Sequence, residues 1–139
     1  MRVLLINSPI RLDAKPSCIP YGLATIASTL RNAGHTIYLY DINALRPSQE
    51  AILDTLKAKS WDIVGVSGLI TTYKFQSWLI PHLRAINPNG LIVQGGGLAT
   101  SNPELCTADY IIGGEGELPM LDLCNGDYPH ERNIADLDD

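Results

Sequence analysis

The sequence predicts an α/β fold, a doubly wound five-stranded parallel sheet with helices on both faces. Three observations predict it. Val3-Leu4-Leu5-Ile6, Ile63-Val64-Gly65-Val66 and Leu91-Ile92-Val93 are continuous apolar runs, as strands buried on both faces are. Segments with apolar residues at helical spacing separate them, so strands and helices alternate along the chain. A length of 139 residues, 45% of them hydrophobic, suits one domain with a self-sufficient core.

The first strand is read at Arg2 to Asn7. A long connection from Ser8 to Ile19 follows, broken by Pro9 and Pro16, with Pro20 placed to open a helix at its first turn. That helix carries Leu23, Ile26, Ala27 and Leu30 on one face and ends at Gly34, in the position of a C-cap glycine. His35 to Asp41 alternates, with Ile37 and Leu39 on one side, as an edge strand does. Asp41-Ile42-Asn43 and Pro47-Ser48 read as a turn, and Ser48 as the N-cap of a helix reaching about Lys59, with Ile52, Leu53 and Leu56 inward.

The third strand falls within Asp62 to Ser67. Phe75, Trp78, Leu79, Leu83 and Ile86 mark the inward stripe of the next helix, which Pro88 stops. Leu91 to Val93 is the fourth strand, followed by Gly95-Gly96-Gly97. A helical turn near Pro103 to Cys106 leads to a fifth strand, Asp109 to Ile112, and Leu118 to Cys124 forms the last helix, with Glu115 and Glu117 placed to cap it. An alternating second strand beside a buried first strand favours the order 2-1-3-4-5, the flavodoxin-like variant of the Rossmann-like three-layer sandwich. Residues 1–125 form the domain, and the acidic stretch 126–139 reads as a linker.

Composition removes several function classes. The net charge of −5, with Lys and Arg scattered, gives no footprint for nucleic acid or an anionic membrane. No apolar run reaches the roughly 18 residues of a membrane span, nor does the amino-terminal run make a signal peptide, so a cytoplasmic location is expected. Cys18, Cys106 and Cys124 stand too far apart for a compact metal motif and read as reduced, structural thiols. His35, His82 and His130 lie where no ligand role is expected.

In the predicted order, ligands bind above the carboxyl ends of the strands, here the ends of the first and third. Ser67-Gly68-Leu69-Ile70-Thr71 and Gly95-Gly96-Gly97 end two neighbouring strands and leave a backbone-lined floor for a large, flat ligand. Familiar nucleotide sites are missing. Asn7-Ser8-Pro9-Ile10 replaces the glycines of a dinucleotide fingerprint, no Gly-Lys-Ser/Thr occurs, and Asn7 and Ser67 stand where a phosphotransfer receiver has acids. A flavin carrier is disfavoured by a first loop without a Ser/Thr-rich cradle.

Ser67-Gly68-Leu69 and Gly95-Gly96 resemble the Ser-x-Leu and Gly-Gly motifs of cobalamin-binding domains. The Asp-x-His-x-x-Gly motif that supplies a cobalt-ligating histidine in that family is replaced by Ser17-Cys18-Ile19-Pro20-Tyr21-Gly22. Pro20-Tyr21-Gly22-Leu23-Ala24, Asp62 to Ser67, Gly95-Gly96 and Asp109-Tyr110-Ile111-Ile112-x-Gly114-Glu115-Gly116-Glu117 are together similar to the amino-terminal cobalamin domain of radical S-adenosylmethionine enzymes, and Asp136-Leu137-Asp138-Asp139 to the connector that follows it.

The resemblance implies a cofactor-binding set of Ser67, Leu69, Thr71 and the three glycines 95 to 97, joined by Gly114 and Glu115, with Ile19 and Gly22 from the first loop and helix. Ser67 would hydrogen-bond the nucleotide base, Gly95 and Gly96 would admit the tail, and Ile19 would lie under the corrin in place of a ligand. It implies base-off cobalamin without a histidine ligand, in a methyltransferase or a related bond-forming or cyclase enzyme. S-adenosylmethionine and a 4Fe-4S cluster would belong to a radical catalytic domain, in cis or on a separate chain, because this sequence has no Cys-x-x-x-Cys-x-x-Cys. The chain is not expected to be catalytic alone. The alternative reading keeps the fold without the cofactor, as a substrate- or partner-docking domain.

Overall fold

The computed structural model describes residues 1–9 and 21–126. Its elements, in order, are β1 (Arg2–Asn7), α1 (Tyr21–Asn32), β2 (Thr36–Asp41), α2 (Ile42–Leu45), α3 (Gln49–Lys57), β3 (Ile63–Ser67), α4 (Tyr73–Ile86), β4 (Leu91–Gly95), α5 (Gly96–Ser101), β5 (Tyr110–Ile111) and α6 (Glu117–Cys124), with single 3₁₀ turns at Ile70–Thr72 and Pro103–Leu105. All pairings are parallel and the order is β2-β1-β3-β4-β5. The predicted fold class and strand order are both present.

Because side chains alternate across a strand, each strand feeds two cores. Leu4, Ile6, Val64, Val66 and Ile92 face α3 and α4 and meet Ile52, Leu56, Leu79, Ile80 and Leu83. Val3, Leu5, Ile63 and Val93 face the other way, onto Leu23, Ala27 and Leu30 of α1 and Met120, Leu123 and Cys124 of α6. β2 is the expected edge strand, and its Tyr38 and Leu39 are left exposed. Tyr38 meets Trp61 edge to face, with ring centroids 5.3 Å apart.

The predicted caps at two helix ends are present. Ser48 Oγ accepts from the Ala51 amide, 3.1 Å away, at the start of α3. Gly34 takes a φ of +96° after α1, with its amide donating to the Arg31 carbonyl. Four expectations need correction. Residues 42–45 coil into α2 instead of a plain turn, because Asp41 Oδ1 accepts from the Ala44 amide and caps a first turn. The fifth strand keeps only Tyr110 and Ile111, since Asp109 turns its carboxylate onto the Ile92 amide. The fourth strand, expected at Leu91 to Val93, runs on to Gly95, and α5 begins at the next residue. Finally, α6 is preceded by Gly116 with no side-chain cap: Glu117 stands in the first turn, where the helix dipole favours a negative charge, and Glu115 precedes the helix without capping it. Pro20 and the 127–139 part of the expected linker lie outside the described residues.

Candidate functional site

The cavity at the carboxyl end of the sheet exists because two strands withhold side chains. In the face turned to α1 and α6, β3 presents Ile63, then Gly65, then Ser67, and β4 presents Val93, then Gly95. Where bulky residues would fill the space between sheet and helices, there are two glycines and a serine. The result is a cavity of about 360 Å³, floored by Leu5, Gly65, Ser67, Val93 and Gly95 and walled by Leu23 and Ile26 of α1 and Met120 of α6. Its size falls within the roughly 300–1,000 Å³ of small-molecule sites. A Cβ at Gly65 would stand 3.0 Å from Leu5 Cδ2, so the floor lies as low as that leucine permits.

Gly96 carries a φ of +81°, and a Cβ there would come within 2.5 Å of Ser67 Oγ. Only glycine lets the start of α5 close over the serine. The two candidate segments are joined side by side: the Leu98 amide donates to the Gly68 carbonyl at 2.9 Å, and Gly97 packs against Leu69. The third segment is tied on by Thr100, whose hydroxyl donates to the Gly96 carbonyl at 2.8 Å and accepts from the Gly114 amide at 3.0 Å.

Of the ten candidate residues, Gly22, Ser67, Gly95, Gly96, Gly114 and Glu115 line this cavity. Leu69, Thr71 and Gly97 do not. They stand on the outer lip, where Leu69, Ile70 and Tyr73 are exposed as an apolar shelf. Ile19 lies outside the described residues. The cavity therefore centres on the ends of β3 and β4 and reaches β1 through Leu5, a shift from the expected crevice over the first and third strands. Sequence reading missed Gly65, Val93 and Met120, although the glycine interrupting an apolar strand was a visible signal.

Two of the three histidines lie within the described residues, and His130 lies outside them. His35 links the amino terminus to Asn125, and His82 Nδ1 contacts the Trp78 carbonyl at 2.7 Å while its ring stacks on that indole. Phe75 and Trp78 pack against the core on the α4 side. Burial pushes the Cys124 thiol up to about 11 and, with Glu104 adding to it, raises that of Cys106; neither is poised as a thiolate. Among the described residues, no three His, Cys, Asp or Glu side chains gather as a metal site, and no helix is long and apolar enough to cross a membrane.

A parallel sheet opening a cavity at its strand ends, floored by glycines, defines a ligand-binding domain of the doubly wound class. The B12 binding domain model matches residues 8–123, and the chain belongs to that family. It is 29% identical over 138 residues to the anaerobic magnesium-protoporphyrin IX monomethyl ester cyclase of Synechocystis sp., and 30% identical over 133 residues to an uncharacterized methyltransferase of Pyrococcus horikoshii. Each alignment covers 88% of this chain but only 27% and 28% of those proteins, so the chain spans little more than a quarter of their length. Solved structures with the same fold include the radical S-adenosylmethionine methyltransferase TsrM from Kitasatospora setae, with cobalamin and a [4Fe-4S] cluster bound (TM-score 0.78, 22% identity, 90% of this chain and 24% of that one). Another is the cobalamin-dependent radical enzyme OxsB with aqua-cobalamin and S-adenosylmethionine (TM-score 0.72, 18% identity, 93% of this chain and 19% of that one).

Proposed function

We propose that this chain is the cobalamin-binding module of a radical S-adenosylmethionine enzyme, holding the cofactor's nucleotide tail in the cavity between the ends of β3 and β4. The observation that carries the reading is the glycine-floored cavity itself, which a Cβ at Gly96 would obstruct at Ser67. The donor set fits. An aromatic base would lie against Leu5, Val93 and Met120, and the Ser67 hydroxyl would be the polar group available to one of its ring nitrogens. Gly95 and Gly96 would let the ribose and phosphate pass close to backbone, and Gly114 and Glu115 would form the mouth. The Leu69–Ile70 shelf would lie under the apolar rim of the corrin.

With its base in the cavity, the cofactor would be base-off. His35 and His82 are committed to contacts at the opposite end of the sheet and on α4, which supports binding without a histidine from the described part of the chain. Bound cobalamin would supply a cobalt centre able to carry a methyl group. S-adenosylmethionine and its cluster would reside on a radical catalytic domain packed over the shelf, on the same chain or another, in a methyltransferase or related bond-forming enzyme.

Titration with hydroxocobalamin, followed by visible absorption, tests this. A saturable change to a base-off spectrum is expected. A folded protein that leaves the spectrum unchanged at high cobalamin overturns the reading and favours a docking domain.

A further inference from the structure

Beneath the Ser67–Thr72 turn, on the side of the sheet away from the cavity, runs a chain of buried polar side chains. Gln94 faces α4 and is 2% exposed, while Gln76 and Thr72 are each 1% exposed. Gln94 Oε1 accepts from the amides of Thr107 and Ala108, at 2.9 and 3.0 Å. These two backbone donors fix the orientation of everything that follows. With its oxygen so engaged, Gln94 must turn its NH₂ to Gln76 Oε1, at 2.8 Å. Gln76 must then present its own NH₂ to Thr72 Oγ1, at 2.9 Å, and the Thr72 hydroxyl has one direction left, donation to the Leu69 carbonyl at 2.6 Å. The Thr72 amide donates to that same carbonyl, at 2.9 Å.

The chain thus runs one way, from the β4–β5 connection to a single carbonyl in the turn. Buried hydrogen bonds aligned head to tail polarise one another, and in a dry interior none can be exchanged for water. The space is filled: a Cβ on Gly68 would collide with Thr72 Oγ1 and stand 2.9 Å from Gln76 Nε2. Neither glutamine lines the cavity.

We propose that Gln94 and Gln76 are positioning residues, which hold the Ser67–Thr72 turn in its cofactor-facing conformation through a one-way hydrogen-bond chain ending on the Leu69 carbonyl. The inference rests on the cobalamin reading for the turn's purpose. Two features give the chain this role. It ends on Leu69, the residue that seats Gly97, and the adjoining Gly68 carbonyl is held by Leu98, so the turn and the start of α5 move together.

The test compares Thr72→Ser, which keeps the hydroxyl, with the isosteric Thr72→Val and with Gln76→Met. Hydroxocobalamin affinity and native-state amide exchange of the ligand-free protein are both read. Thr72→Ser should bind within about twofold of wild type, whereas Thr72→Val and Gln76→Met should bind about five- to tenfold more weakly. In those two variants exchange should accelerate selectively at residues 68–72. Valine and methionine variants that bind like wild type would overturn the proposal. So would a serine variant as weak as the valine one, or acceleration spread evenly over the sheet. If wild type fails to bind cobalamin, the cofactor reading falls separately, and the exchange pattern still decides whether the chain holds the turn.

Discussion

Ser67→Trp will abolish hydroxocobalamin binding while the protein still melts cooperatively. Ser67 lies on the cavity floor opposite Gly95 in the strand register, with its hydroxyl turned to the start of α5. An indole carried on the same Cβ has one open direction, into the cavity, which it would largely fill. The loss should exceed a hundredfold, about 2.7 kcal/mol or more, because the base would have no dry site and the proposed Ser67 contact would be gone. Stability should change little, since the ring occupies space that no protein atom fills. Circular dichroism melts beside the visible titration check both halves. A Ser67→Trp protein that binds as well as wild type would place the tail elsewhere.

The largest effect on stability is expected at Gln94. Gln94→Leu matches the volume of the glutamine but strands three partners: the amides of Thr107 and Ala108 lose their acceptor, and Gln76 Oε1 loses its donor. At roughly 1 kcal/mol or more for each of the three groups left unpaired, the cost is about 3 kcal/mol or more. That is a large share of the roughly 5–15 kcal/mol that holds a domain together. For a chain of this length the melting temperature should fall by about 10–20 °C. A fall of only a degree or two would mean that water replaces the side chain without loss.

Much of the fold was legible because it is written in periodicity. The continuous runs at Leu4, Val64 and Ile92 are what a strand covered on both faces requires, and the alternation at Ile37 to Tyr40 marked the edge. Caps at Ser48 and Gly34 were legible because their chemistry is local. α5 was not: Gly96-Gly97 argues against a helix on propensity, and the turn forms through contacts to Gly68 that lie far away in sequence. The short fifth strand failed for a similar reason, as Asp109 is drawn to the Ile92 amide and to Arg84, 2.9 Å away.

Within the site, Ser67, Gly95 and Gly96 could be read because small residues at adjacent strand ends have few other uses. The glutamine chain could not. Gln76 sits on a helix and Gln94 in a strand, and either alone reads as a polar residue on an otherwise apolar face. Only the packing of α4 across β4 brings them within hydrogen-bond reach.

A crystal structure of the chain grown with hydroxocobalamin tests whether the cavity holds the nucleotide tail. The nucleotide base is expected in the cavity between α1, α6 and the ends of β3 and β4, detached from cobalt and within hydrogen-bond reach of Ser67 Oγ. A cofactor seated elsewhere, or one with its base still on cobalt and the cavity empty, would contradict it.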